Sequence, residues 1–352
     1  LPKEGTPPSA TDSEGATTTD PHAVITEEWS KFRTLWQAAT QYCQWWDPGN
    51  REHAKADSGL PRLDHSNLRR ASSSFSHGTT STYDGLHPRH FALLSDQALD
   101  TVGALLEAVE WSGKWPSGIR KVAIALIPKP KGGVRPIGLF SGLHRLWTRA
   151  RRPAAEEWER HHNRPYFAAR KGNGAVDTVW KQALAAELCT SKQGSTASIL
   201  IDLRSFFEYI GHADLEDRGA RSRFNPVLMR LALDGYRLAR VIVKGGKVTT
   251  PLFAQRGVIA GCGFATSMVK VHCLEAFDKF CEKWGVDALA AYIDDLTITA
   301  QAGSDQEVFD KVLAMAQDLQ QMVEEALGCT IALDKTTVVA SNQQLAETIS
   351  AA

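Results

Sequence analysis

Cysteine is scarce and scattered: six residues, at 43, 189, 262, 273, 281 and 329, with no C-x-x-C pair. That spacing argues against a zinc site and a disulfide framework, and leads us to expect an intracellular setting, nuclear or cytoplasmic. The eleven histidines lack metal spacing as well; His161 and His162 are adjacent and cannot share a helix face. No apolar run approaches the roughly 20 residues that span a bilayer, and no secretory leader opens the chain, so no membrane partner is expected. The chain starts on Leu1 rather than Met and is expected to be part of a longer reading frame.

Net charge is also missing, at zero, but the sum hides an asymmetry. From Arg120 to Lys171 thirteen Lys or Arg stand against Glu156, Glu157 and Glu159, a net of +10. From Gln301 onward eight acids face two lysines, a net of −6. A basic block inside a neutral chain is either a polyanion-binding surface or a solvated basic helix.

What is present divides as follows. Residues 1–23 are polar and aperiodic and read as a disordered tail, and 24–80 as a helix, with apolar residues to Cys43, followed by a linker. A helix runs from Pro88 to about Trp111, and "RKVAIALIPKPKGGVRPIGLF" reads as strand, turn and strand. Helices follow at 143–160 and 174–190, then a strand over 196–210 ending in the acid Asp202. Next come a helix near 225–238, a hairpin at 240–252 and a helix at 264–284. The strand "AAYIDDLTITA" (290–300) precedes a helix at 304–327, a hairpin-like "CTIALDKTTVVA" and a short tail, 346–352. This order predicts an α+β fold, an antiparallel sheet packed on helices.

"AAYIDDLTITA" sets Asp294 and Asp295 inside an apolar, β-branched run, where acids are costly unless paired. The strand order brings the Asp202 strand beside them, and three converging carboxylates call for a cation. Magnesium takes such hard oxygen ligands, and two ions about 4 Å apart stabilise both the attacking and the leaving oxygen of phosphoryl transfer. Asp202, Asp294 and Asp295 are therefore the expected metal ligands, for two Mg²⁺ ions with Mn²⁺ as the alternative.

These segments resemble, in order, the motifs of reverse transcriptases, most closely the non-LTR retrotransposon and group II intron type, over roughly residues 80–340. "YIDD" (292–295) is similar to the family's Y-x-D-D turn, and "DLRSFFEYIGH" (202–212) to its first catalytic strand. "IPKPKGGVRPIGL" (127–139) resembles the basic fingers hairpin, and "RGVIAGCGFATSM" (256–268) the Gly-rich loop. "LGCTIALDKTTVV" (327–339) resembles the segment ending in Lys-Thr, and "YDGLHPRHF" (83–91) the entry to the fingers. The resemblance implies the fingers and palm of a right-hand polymerase, with fingers at 81–190, palm at 191–345, and the thumb absent or outside this chain. It implies an RNA-directed DNA polymerase from a retrotransposon-like element, with RNA template, DNA or RNA primer and dNTPs as partners.

Carried over by position, Asp202, Asp294 and Asp295 match the catalytic acids, and the Leu203 carbonyl an extra ligand. Arg135 matches the arginine that grips the triphosphate, and Lys129 or Lys131 a second cationic contact. Lys335 matches the lysine that protonates pyrophosphate, although a surface lysine is the plain alternative. Phe207, five residues after Asp202, stands where a ring excludes a 2′-hydroxyl; with Phe206 beside it on a strand, one ring faces the core and the other the nucleotide. Tyr292 is placed near the primer end or in the core. Gly257 and Gly261 allow close approach of a base pair. Ala260 occupies the place of the family's Gln, which helps to seat the template. That departure keeps a second reading in view, a decayed or repurposed nucleic-acid-binding relative without polymerase activity.

Overall fold

The computed structural model describes residues 9–11, 16–37, 59–130, 133–169, 172 and 174–352. Lys131 and Cys43 lie outside the described residues. Two short strands, β1 (Ala10–Thr11) and β2 (Thr17–Thr18), pair antiparallel where a disordered tail is expected. Asp20 caps α1 (Pro21–Leu35), its carboxylate accepting the Ala23 N–H at 2.9 Å, with Pro21 at the first helical position. Asp64 caps α2 (His65–Ser73) inside the expected linker. The helix expected from Pro88 breaks in two: a 3₁₀ turn, Pro88–Leu93, and α3 (Asp96–Ser112). Leu94 is extended, and the Ser95 hydroxyl restarts the helix by accepting the Ala98 N–H.

Then follow β3 (Lys121–Pro128), β4 (Val134–Leu139), α4 (Gly142–His161), α5 (Ala175–Ser191) and β5 (Ser195–Arg204). A short helical turn, α6 (Phe206–Tyr209), precedes α7 (His212–Arg221), α8 (Pro226–Tyr236), β6 (Ala239–Lys244) and β7 (Lys247–Val248). The chain ends with α9 (Ala265–Trp284), β8 (Leu289–Tyr292), β9 (Asp295–Ala302), α10 (Asp305–Gln321), β10 (Thr330–Ile331), β11 (Thr337–Ala340) and α11 (Gln343–Ala351).

The fold is α+β, as expected, and its described residues form two compact units, each made of two stretches of chain. One takes Leu1–Trp158 with Phe207–Met268, the other Glu159–Phe206 with Val269–Ala352. The expected division at 190 does not follow these units, because the chain leaves the first and later returns to it.

In the first unit the sheet order is β4-β3-β6-β7, with β3 and β6 parallel and the other pairs antiparallel. Its core includes Trp115, Trp147 and Phe264, with Trp147 edge-on to both of the others. Glu110 on α3 and Arg151 on α4 form a buried, two-pronged ion pair inside it.

In the second unit five strands form one sheet in the order β10-β5-β9-β8, with β11 also on β5. Ile199, Ile201 and Leu203 of β5 and Leu296 and Ile298 of β9 are buried, each separated from the next by a residue on the opposite face. Helix α10, which buries Val308, Val312, Met315 and Leu319, packs on these two strands. Burying each such side chain contributes about 1.5–3 kcal/mol.

Three expectations are corrected here. The strand read over 196–210 stops at Arg204, because Ser205 adopts a left-handed φ of 47° and the next four residues wind into α6. The closing segment is not a hairpin: β10 and β11 both pair antiparallel with β5 and not with each other. Residues 346–352 are not a tail but the body of α11, where Ile349 is buried. Among the described residues, no helix is long and apolar enough to cross a membrane.

Candidate active site

Strand alternation decides where the acids go. Ile201 and Leu203 point into the core, so Asp202 between them takes the open face; Leu296 points in, so Asp295 does the same. The register sets Asp202 directly opposite Asp295. Like charges facing each other across two strands repel, and something must offset that. Part of the answer is Lys335, whose ammonium donates to the Asp202 carboxylate at 2.5 Å. Lys335 sits on the 3₁₀ turn Leu333–Lys335, which is tied to β5 by the Ala332 N–H donating to the Asp202 carbonyl at 2.8 Å.

The electrostatics follow. Partial burial, and then the charges of Asp294 and Asp202, push the Asp295 carboxyl above the usual carboxylate range. The hydrogen bond from Lys335 and the charge of Asp202 push the Lys335 ammonium up, so it stays protonated at neutral pH. Because the raised Asp295 binds its proton more tightly when folded, its charged form weakens the fold above its folded pKa. That penalty fades as pH falls toward the ordinary carboxylate value of about 4. Asp295→Asn is therefore expected to raise the thermal midpoint at pH 7 and to leave it nearly unchanged at pH 4. A midpoint that falls at pH 7 would contradict this.

The turn between β8 and β9 contains only Ile293 and Asp294, because Tyr292 pairs with Asp295. Ile293 has a left-handed φ of 64°. Two-residue hairpins with this feature at their first turn position normally carry glycine there. A β-branched residue in this conformation stores strain of about 1–3 kcal/mol, which tends to accumulate where geometry serves function.

A cavity of about 400 Å³ opens on this face, lined by Asp202, Tyr292, Asp295 and Lys335. Helix α5 supplies further wall residues, Thr178, Val179 and Gln182. Sequence reading missed these three; the one available signal was a helix placed immediately before the Asp202 strand. Asp294 lies in the turn and not on the cavity wall, yet its charge is felt by Asp295. The Leu203 side chain is buried in the core. Among the described residues, no three acidic, His or Cys side chains stand close enough to hold one ion as they are arranged. The donor set nevertheless fits a hard divalent cation. Two facing carboxylates and a third beside them are all oxygen ligands, and their mutual repulsion is what a cation relieves.

The remaining expected residues lie in the first unit. Arg135 and Lys129 are exposed on the β3–β4 hairpin, and the Lys129 N–H closes its turn onto the Gly133 carbonyl at 3.0 Å. Phe207 is half-buried. It lies on α6 and not on a strand, so alternation does not separate it from Phe206; successive helical residues diverge by about 100° instead. Its carbonyl accepts the Val258 N–H and the Ile210 carbonyl the Gly257 N–H, both at 2.8 Å, which ties α6 to the Gly-rich loop.

The glycines of that loop have structural tasks. The Gly257 carbonyl accepts from the Arg240 guanidinium at 2.8 Å and lies 3.1 Å from His212 Nε2. Gly261, at φ 106°, lies so near β4 that a side chain there would strike the Gly138 carbonyl. The Ala260 carbonyl accepts the Gly138 N–H at 2.6 Å. The close approach that these residues permit is thus, for Gly261, an approach to β4.

A family model described as reverse transcriptase (RNA-dependent DNA polymerase) matches residues 127–346, more than half of the chain. No curated protein matches the chain in sequence. Among solved structures, the chain is similar to apo telomerase from Candida tropicalis truncated from the C-terminal domain. That likeness has 14% identity over 65% of this chain and 51% of that one, with a TM-score of 0.45. It is also similar to telomerase from the same organism in complex with the TWJ fragment of telomeric RNA. Here the figures are 13% identity, 65% of this chain, 42% of that one and a TM-score of 0.47. The chain therefore spans about half, or less, of those proteins.

Proposed function

The chain belongs to the reverse transcriptase family, and from that premise we propose that it is an RNA-directed DNA polymerase, adding deoxynucleotides to a primer 3′ end on an RNA template. The observation that carries this reading is the Asp202–Asp295 pair, facing each other across β5 and β9 with Lys335 on one of them. In this reading the five-stranded sheet belongs to the palm and the β3–β4 hairpin to the fingers, with the functional division at 81–190 and 191–345.

Asp202, Asp294 and Asp295, with the Leu203 carbonyl, would hold Mg²⁺, two ions in the full arrangement, or Mn²⁺ in its place. When bound, such ions lower the pKa of a 3′-hydroxyl and neutralise departing pyrophosphate. Lys335, held protonated by Asp202, supplies the proton to the leaving group. Arg135 offers a planar fork to the triphosphate, with Lys129 or Lys131 as a second cation. Tyr292, on the same cavity wall as Asp202 and Asp295, packs at the primer end. Gly257, Ala260 and Gly261 belong to the loop that seats template and nucleotide. A retrotransposon-like source of the non-LTR type agrees with the order of the motifs.

Primer extension on an RNA template with Mg²⁺, comparing dNTPs with NTPs, tests the reading directly. Extension with dNTPs alone is expected. Folded protein that binds RNA and extends no primer would leave the repurposed reading, which Ala260 favours. Phe207 supplies a sharper expectation. Phe207→Val opens the space beside the sugar, and discrimination against NTPs is expected to fall by roughly 10²-fold with dNTP use retained. Unchanged discrimination would remove Phe207 from the sugar gate.

A further inference from the structure

We propose that Arg145 and Arg149, both held over the Phe75 ring, form with the Gly-rich loop a seat for the sugar-phosphate backbone of the RNA strand. The inference rests on the polymerase reading and adds to it a strand-binding surface on α4 that lies outside the catalytic acids.

The residues fall on one helix face. Arg145, Arg149 and Arg152 stand at i, i+4 and i+7 of α4, and with Phe75, Gly261 and Gly263 they line a cavity of about 480 Å³ within the first unit. The Arg149 guanidinium lies 4.5 Å from the centre of the Phe75 ring and that of Arg145 5.8 Å from it. Arg145 is further fixed by donating to the Thr80 carbonyl at 2.6 Å. Arg152 is already satisfied, by Glu156 at 3.3 Å and by the Gly263 carbonyl and the Ser267 hydroxyl.

Arg145 and Arg149 differ from Arg152 in this respect. Among the described residues no carboxylate makes an ion pair with either, and the acid whose charge reaches Arg145, Asp84, accepts from the Gly142 N–H at 2.6 Å and from the Thr82 hydroxyl. Two cations held over one ring repel each other unless an anion joins them. A guanidinium stacked on an aromatic face keeps its N–H edge turned outward for phosphate oxygens.

A strand fits this arrangement better than a single triphosphate. The two arginines are one helical turn apart, about 6 Å along α4, so each meets a different phosphate. Gly261 and Gly263 bring the backbone of the Gly-rich loop to the same cavity wall, where peptide groups as well as guanidinium groups face a strand. The exposed guanidinium plane is also a stacking surface for a base, as in sequence-tolerant single-strand binding.

The test measures binding of a labelled single-stranded RNA oligonucleotide, and separately of a dNTP, to the full chain and to Arg149→Ala, from 50 to 200 mM salt. Arg149 is exposed, so the variant is expected to keep its thermal midpoint. RNA affinity is expected to fall roughly fivefold at low salt, with dNTP affinity unchanged. The slope of log affinity against log salt should become shallower by about 0.7, one single-strand phosphate contact. Unchanged RNA affinity and slope would overturn the proposal, and so would a loss confined to the dNTP.

Primer extension run beside it separates the two readings. Arg149-dependent RNA binding in a chain that extends no primer sustains the strand seat and defeats the polymerase. Extension in a chain whose RNA binding ignores Arg149 does the reverse. A wild-type chain that binds no RNA defeats both.

Discussion

Asp202→Asn is expected to lower dNTP incorporation by about 10³-fold or more while the protein stays folded and binds RNA. Asn keeps the shape of the side chain and can still accept from Lys335, so what is lost is one negative charge at the centre of the site. Removing one preorganised electrostatic contact to a developing charge costs about 10²–10³ in rate, and in the proposed function Asp202 would also hold the cation, so its loss adds to that. Stability should barely move. The Lys335–Asp202 pair is partly exposed, at 59% and 26% of the two side chains, and such pairs contribute about 0–1 kcal/mol. Removing the Asp202 charge also relieves Asp295 across the strands. Single-turnover primer extension, thermal unfolding and RNA binding on the same preparation check all three expectations. A rate within tenfold of wild type would take Asp202 out of the reacting set.

Glu110→Ala should destabilise the protein by about 3–5 kcal/mol, a large part of the usual 5–15 kcal/mol of a domain. Glu110 and Arg151 are 0% and 2% exposed, with contacts of 2.5 and 2.7 Å between them. The Glu110 carboxylate also accepts the Trp147 indole N–H at 2.8 Å, and the Arg151 guanidinium donates to the Pro61 carbonyl at 2.5 Å. Truncating the acid leaves a guanidinium without its counter-charge in the core, and that stranded cation carries most of the cost. Pairing Glu110→Leu with Arg151→Met removes both charges together and is expected to recover most of the loss, which distinguishes desolvation from mere packing. Chemical denaturation of the single and double variants gives the comparison. A single-variant loss under about 1 kcal/mol would mean that water reaches Arg151.

The α+β class was legible in the residues themselves, and so was the placing of Asp202 and Asp295 on neighbouring strands. An apolar run such as "SILIDLR" or "YIDDLTITA" can bury only alternate residues, so Asp202 and Asp295 had to share the open face once their strands were neighbours. Other positions were misread for local reasons. Nothing in the composition of "RSFFEYI" announced that Ser205 would turn left-handed, so the strand was read too far. The closing segment looked like a hairpin because two short β-rich runs with a polar break between them resemble one, whichever strand they finally join.

By itself the sequence determined what short-range sterics and periodicity can express: the α+β class, where most strands and helices lie, and which residues of a strand alternate toward the core. Only the tertiary structure decided the long-range polar pairings. Lys335 reaches Asp202 across 133 positions, Glu110 meets Arg151 across 41, and Arg149 stacks on Phe75. A charge has no period along a chain, so its partner is set by the packing of elements that hydrophobic burial assembles first.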